Sequence, residues 1–393
     1  MAPPTPAHRA NGLDTLRALA ITLVFTYHYM VFGSGEPTFG WASVVGWVGV
    51  DLFFVLSGYL IANQLFAGIA RGQRVSLTRF YARRALRTLP VFWLVLALYF
   101  TWPALLGGRT PPPLWRFLSF TQNLALEPGT AFSHAWSLCI EEQFYLVLPL
   151  LLALGWRLRT TLAHGWVLLL ALVVVGITAR ALRWTTYGPA SDGYYPHIYY
   201  ATLCRFDEFL PGVAVAMLKN FSPAAWARIT RHGQRVFALG IAATLTMLTL
   251  VYRFYEIDGY GYGFFMTAFG YSLVAAAFAV LVVAALSPGS ALHRVRIPGA
   301  FRLALWSYSI YLSHKAVMHV MQQLASSSAW PDGAQLGATT VVSVAVGALL
   351  YRLIEMPFMT WRDRRIPTNF ATLPPSSEPA RDARLTLPRM DTP

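Results

Sequence analysis

Charge is what this chain has least of. Of its 393 residues only 12% are Asp, Glu, Lys or Arg and 56% are hydrophobic, whereas a soluble domain carries about 25% charged residues. Within that small share acids are the scarcer sign, 17 against 31 basic residues, for a net charge of +14. Cysteine is nearly missing. Cys139 and Cys204, both in apolar surroundings, support neither a disulfide framework nor a metal site. There is no glycine-rich phosphate loop and no internal repeat. The arginines lie mostly in short loops between apolar runs, which suits membrane topology rather than a nucleic-acid face.

Apolar runs of about 20 residues, the length that spans a bilayer, recur along the whole chain. They fall near 13–32, 47–69, 88–106, 138–155, 164–182, 198–218, 236–252, 263–286, 302–324 and 336–360. The first is too long for a signal-peptide core and no small-residue cleavage site follows it, so it is read as retained. Basic residues concentrate after the even-numbered runs. Arg71, Arg74, Arg79, Arg83, Arg84 and Arg87 follow the second, Arg157 and Arg159 the fourth, Lys219, Arg228, Arg231 and Arg235 the sixth, and Arg294 and Arg296 the eighth. The gaps after the first and ninth runs hold no Lys or Arg. The expected fold class is therefore all-α, a polytopic membrane helical bundle of about ten transmembrane helices with both termini cytoplasmic. A cytoplasmic N-terminal tail is expected over 1–11, the membrane domain over 12–362, and a disordered cytoplasmic tail over 363–393.

The first run, LDTLRALAITLVFTYHY from Leu13 to Tyr29, carries Asp14, Arg17 and His28. Ionisable groups in lipid are costly and usually face a bundle interior or a cavity. Eleven residues of helix turn by about 1100°, so Arg17 and His28 share a face with a rise of about 16 Å between them. The same depth arithmetic puts Asp51 in the outer half of the second run, Glu141 and Glu142 a turn below the outer end of the fourth, and Arg205, Asp207 and Glu208 near the outer end of the sixth. His314 falls at a depth similar to His28. Two polar layers result: Arg17, Arg84 and Arg87 on the cytoplasmic side, and His28, Asp51, Glu142, His314 and Arg205 toward the outside.

Arginines suit a phosphate-bearing donor, since guanidinium holds phosphate in a bidentate fork. A histidine acts as base at neutral pH, and carboxylates orient it or raise its basicity. This is equipment for transferring a group from a cytosolic phosphorylated donor to an outer acceptor, and equally for a proton-coupled transporter. A transporter of a donor or a lipid-linked glycan would be marked by repeat symmetry or paired broken helices, and neither is found in the sequence.

Several motifs in order resemble those of the acyltransferase 3 family of integral membrane proteins. Arg17 to His28 resembles its Arg-x10-His signature, and GVDLFFVLSGYLI (Gly49 to Ile61) its second-helix motif. Arg84-Ala85-Leu86-Arg87 resembles its Arg-x-x-Arg segment, and HAWSLCIEEQFYLVLP (His134 to Pro149) its Glu-Glu-Gln-Phe-Tyr stretch. SYSIYLSH (Ser307 to His314) and Glu355-Met356-Pro357 also fit. The resemblance covers about Gly12 to Arg362. It implies transfer of an acyl group, usually acetyl from acetyl-CoA and without a metal, to a hydroxyl of a cell-envelope glycan, a lipid-linked sugar or a small molecule. It also implies a bacterial cytoplasmic (inner) membrane location, with the bilayer and no nucleic acid as surroundings. The chain departs from the pattern at Lys315-Ala316, where relatives often have a proline. No serine-esterase-like soluble domain of the kind fused to some members is expected, so one transfer centre is expected to suffice.

On this reading His28 is the general base, Glu142 orients or charges it, and Asp51 adds a carboxylate that equally fits a helix N-terminal dipole. Arg17, Arg84 and Arg87 contact the donor, the last two through coenzyme A phosphates. His134, Trp136, Arg205 and His314 line the acceptor side. One of Glu141 and Glu142 is expected to face a structural partner. Ser57 and Gly58 are read as permitting close helix packing, Cys139 as inert, and Gly259 to Phe265 as an interfacial aromatic belt. Direct transfer and a ping-pong route through an acylated residue both fit the sequence.

Overall fold

The computed structural model describes residues 11–328 and 330–371, apart from the side chain of Trp156. The expected N-terminal tail up to Ala10, and the C-terminal tail from 372 onward, lie outside the described residues. Helix dominates. The only named strands among the described residues form a hairpin of two residues a side, β1 (Glu256–Ile257) with β2 (Gly261–Tyr262).

Eight helical stretches are long and apolar enough to cross a membrane. They contain α1 (Asn11–Tyr29), α2 (Gly49–Ala70), α3 (Leu77–Thr101), α4 (Trp136–Arg157), α5 (Leu162–Tyr187), α7 (Gly233–Phe254), α8 (Tyr271–Leu286), and α10 (Asp332–Leu350) running into α11 (Met356–Arg365). The remaining two expected spans are built differently. The run at 302–324 lies in α9 (Ala300–Ser328), a helix of 29 residues whose apolar character is diluted by Arg302, His314, Lys315, Gln322 and Gln323. The run at 198–218 is broken into a wide π turn (Tyr195–Tyr199), a short helix (Thr202–Arg205), a 3-10 turn (Phe206–Phe209) and α6 (Leu210–Phe221). Irregular backbone at membrane depth survives only when protein surrounds it. Arg205, Asp207, Glu208 and Phe209 are all buried.

Helices α1, α2, α8 and α9 make the centre of the bundle, with α1 packed against the other three. Helix α6 crosses α2 so closely that a Cβ on Gly58 would stand 2.2 Å from the Phe209 carbonyl oxygen, and one on Gly212 2.1 Å from that of Val55. Small residues let helix backbones meet where no hydrophobic effect drives them together. Helix α5 forms part of the outer wall, and its apolar side chains point away from the protein, with Val167 68% and Leu170 67% exposed. In water such a face would be a liability. In a bilayer it is the required surface.

Two buried ionic groups tie the broken segment to its neighbours. Arg180 of α5 donates to Asp207 (Nη1 to Oδ1, 2.6 Å; Nη2 to Oδ2, 3.0 Å), to Ser272 Oγ (2.6 Å), and to the carbonyls of Cys204 (2.7 Å) and Ala268 (2.9 Å). Ala268 sits in a π turn (Met266–Gly270), where the helical ladder is interrupted and a carbonyl is free to turn to a side chain. Arg205 donates to Asp51 of α2, to Glu208 and to the Tyr199 carbonyl, and lies 4.1 Å from the Tyr271 ring centroid. Removing one partner of a buried pair leaves a bare charge and costs about 3–5 kcal/mol. Asp207→Ala is therefore expected to lower unfolding stability in detergent by about that amount, while the double variant Arg180→Leu with Asp207→Leu recovers most of the loss. A single-variant loss below about 1 kcal/mol would mean that water reaches the pair.

Candidate active site

A cavity of about 410 Å³ opens among α1, α2, α3, α4 and α9. Its lining includes Arg17, Arg84, Arg87, Glu141, Tyr145 and Tyr311. The Arg84 guanidinium carbon lies 3.9 Å from the Tyr145 ring centroid, and its Nε is buried with no partner among the described residues. Glu141 accepts from Ser57 Oγ and from Tyr145 O–H, each at 3.1 Å. Glu142 has Arg84 and Glu141 as its charged neighbours and lies near Thr88, whose hydroxyl donates to the Arg84 carbonyl at 3.2 Å. Glu355, in the π turn Tyr351–Glu355, accepts from Ser309 Oγ at 2.9 Å and has Arg87 and Arg17 as charged neighbours.

Beyond the cavity three histidines meet. His28 Nδ1 is 2.6 Å from His314 Nε2, with the rings stacked at 4.8 Å between centroids. The His134 ring stands edge-on to both, 6.2 Å from His28 and 5.4 Å from His314. Tautomers follow from the partners for neutral rings. His314 Nδ1 is 3.0 Å from the Ile310 carbonyl, which only accepts, so this nitrogen carries the proton and Nε2 is the lone pair. His28 must then donate from Nδ1 to His314, which leaves its own Nε2 as a free base. By the same argument His134 donates from Nε2 to the Leu312 carbonyl at 3.2 Å, and its Nδ1 lone pair is buried without a partner among the described residues. The arrangement resembles a catalytic pair in which one group fixes the tautomer of the base.

Lys315, one of two lysines in the chain, is buried beside this cluster. It donates to Ser133 Oγ (3.1 Å) and the Thr130 carbonyl (3.4 Å), and lies 4.5 Å from the Phe32 ring centroid. It thus ties α9 to the turn that holds His134. The partition between cavity and histidines is made of hydroxyls. Tyr311 O–H donates to the His134 carbonyl at 2.6 Å and is 2.7 Å from Ser137 Oγ, and both side chains also line the cavity.

The structure therefore brings Arg17, Arg84 and Arg87 together, and separately His28, His134 and His314. It does not bring Glu142 to His28, whose charged neighbours are the two histidines and Lys315. Asp51 and Arg205 belong to the ionic group that anchors the broken segment, and Trp136 packs over Arg205 at 5.0 Å with 4% of its surface exposed. Sequence reasoning did not single out Glu355, Lys315 or Arg180 for these positions. Each is a charged residue inside an apolar run or a motif, and that was the available signal.

The fold and the site define a multispanning membrane bundle with a cationic cavity at one level and an imidazole cluster at another. The chain belongs to the acyltransferase 3 family, whose acyltransferase-domain model matches residues 10–352. It is 29% identical over 375 residues to the peptidoglycan O-acetyltransferase OatA of Listeria monocytogenes, a match covering 88% of this chain and 55% of that protein. It is 27% identical over 375 residues to the O-acetyltransferase OatA of Staphylococcus aureus, covering 88% of this chain and 56% of the relative. The chain thus spans about half the length of these curated relatives. No solved structure matches it.

The tautomer assignment is open to direct measurement. Nitrogen-15 spectra of histidine-labelled protein near neutral pH should show His28 and His314 protonated at Nδ1 and His134 at Nε2, assigned by single substitutions. A signal from His28 protonated only at Nε2 would reverse the direction of the His28–His314 bond.

Proposed function

We propose that this protein is a bacterial membrane O-acetyltransferase that moves an acetyl group from acetyl-CoA to a hydroxyl of a cell-wall glycan. The observation that carries the reading is the His28–His314 contact, which assigns a lone pair to His28 Nε2, beside an arginine-lined cavity to which it is linked through Tyr311 and Ser137. The names of the relatives support acetyl as the group and peptidoglycan as the class of acceptor. The charge bias of the loops supports both termini and the arginine cavity on the cytoplasmic side of the inner membrane. The membrane domain corresponds to 12–362.

Coenzyme A docks with its phosphates on Arg84, which has Glu141 as a charged neighbour, and on Arg87, which has Glu355, while Arg17 supports the same layer. The pantetheine arm covers the distance from that layer to His28, about 16 Å along α1. An acceptor hydroxyl donates to His28 Nε2, which removes its proton as the oxygen attacks the thioester carbonyl. The new C–O bond forms, the tetrahedral intermediate collapses with cleavage of the C–S bond, and imidazolium returns the proton to the departing thiolate. Ser137 and Tyr311 would have to give up their present hydrogen bonds, to each other and to the His134 carbonyl, before either could donate to the developing oxyanion. His314, rather than Glu142, holds the base in its tautomer.

The test is coenzyme A release from acetyl-CoA by purified protein supplied with membrane glycan extract. Release is expected to require the extract and to fall about 10²–10⁴-fold in His28→Ala, the usual contribution of a general base. Wild-type protein that binds acetyl-CoA but releases no more than the variant would turn the reading to transport. Acetyl-protein detected by intact mass before acceptor is added would replace direct transfer with the ping-pong route.

A further inference from the structure

Arg83 and Arg362 line the same cavity as Arg17, Arg84 and Arg87, yet these two share a counterion of their own. The Asp363 carboxylate receives Arg362 Nε on Oδ1 at 2.9 Å, Arg362 Nη2 on Oδ2 at 3.1 Å, and Arg83 Nη2 on Oδ1 at 3.1 Å. Burial divides the trio unequally: both arginine side chains are 14% exposed and the aspartate 55%. The cationic half is built in, and the anionic half faces solvent.

The arginines are fixed by more than the carboxylate. Arg83 Nη1 also donates to the Ile366 carbonyl. The segment that follows is bound to the start of α3 by Ser76 N–H to the Asn369 carbonyl (2.9 Å), Arg79 Nη1 to the Phe370 carbonyl (2.9 Å) and Ala371 N–H to the Arg74 carbonyl (3.0 Å). Two guanidinium groups converging on one carboxylate match the geometry that binds phosphate bidentately. A phosphate carries more charge and more acceptor oxygens than the carboxylate it would replace, and an ion pair with one partner in water is weak.

We infer that Arg83 and Arg362 form a second anion subsite of the donor cavity, for a phosphate group of the acyl donor, and that Asp363 occupies it as an internal competitor. The inference rests on reading the cavity as the acyl-CoA site. It makes Asp363 a specificity device. A donor with several phosphates gains the inner arginines and displaces Asp363, whereas a thioester without phosphate gains neither.

The full chain in nanodiscs of neutral lipid tests this by calorimetric titration. Asp363→Asn should bind coenzyme A roughly three- to tenfold more tightly than wild type, and Arg83→Gln correspondingly more weakly, the range of one charge-assisted contact at a partly exposed site. Acetyl-pantetheine, which has no phosphate, should not distinguish them. Arg83→Lys, which keeps the charge and the packing stem, should fall between wild type and Arg83→Gln. Unchanged coenzyme A affinity in Asp363→Asn, or equal tightening toward acetyl-pantetheine, overturns the proposal. Inorganic pyrophosphate separates the two readings. If coenzyme A fails to bind wild type but pyrophosphate binds, and does so more tightly in Asp363→Asn, the donor assignment falls while the anion subsite stands. If phosphatidylglycerol in the nanodisc erases the difference between wild type and Asp363→Asn, the subsite takes a lipid headgroup and the donor assignment is overturned.

Discussion

Arg205 cannot turn to water, and much of the bundle is arranged around that fact. A guanidinium at this depth has to be met by carboxylates, carbonyls and ring faces, because an unpaired charge in a low-dielectric interior costs several kcal/mol. Asp51 comes from α2, Glu208 from the 3-10 turn and the Tyr199 carbonyl from a π turn, with the ring of Tyr271 from α8 alongside. In a regular helix Arg205 and Glu208, three residues apart, would share a face and Asp207 would point the other way; the broken segment keeps that division, with Asp207 on Arg180 and Glu208 on Arg205. Helix α6 resumes only where those demands end, and Gly58 and Gly212 then let it lie against α2.

The same constraint sorts the polar residues into two kinds. Where every donor has a partner, as on Arg180 with its five hydrogen bonds, the group is a fastener. Where a buried polar atom is left over, the site has room for something else. Arg84 Nε and His134 Nδ1 are such atoms, and they lie on either side of the Tyr311–Ser137 partition. They are two of ten such atoms among the described residues, another being Asp51 Oδ2 in the Arg205 group, so a leftover polar atom does not by itself separate a site from a fastener.

Much of this was legible in the sequence. Period and depth put Arg17 and His28 on one face and His314 at the level of His28, and the structure brings the two histidines into contact. Loop charge and run length gave the all-α bundle, since both are read from composition alone. What escaped was partner choice. Asp51, Arg205 and Glu142 were placed in the outer layer with His28 by depth, but depth does not give azimuth. Asp51 turns to Arg205, while Glu142 faces Arg84 and Thr88. The broken span escaped for a related reason. An apolar run long enough for a helix does not reveal that three ionisable residues inside it need different neighbours. Helix α9 shows the converse, a long helix whose apolar signal is diluted by polar residues, of which His314 and Lys315 are buried in the protein while Arg302, Gln322 and Gln323 are exposed.

If His28 is the base, as proposed, the histidine cluster also accounts for the lack of a carboxylate beside it. A carboxylate would fix the tautomer of His28 and would stabilise its protonated form strongly. In a membrane interior that gain brings with it an uncompensated buried charge whenever His28 is neutral. His314 fixes the same tautomer through a neutral lone pair, and its own proton is held by the Ile310 carbonyl on its own helix. The chain Ile310 carbonyl, His314, His28 therefore carries no net charge at rest, so the base can wait in a low-dielectric site without a counterion. Lys315 is then the nearby charge, held on Ser133 and Thr130. A cation beside neutral imidazoles disfavours their protonation at rest and attracts the oxyanion that forms when an acyl carbonyl is attacked. A neutral base and a fixed cation suit a reaction that generates negative charge, whereas an acidic partner would suit the storage of a proton.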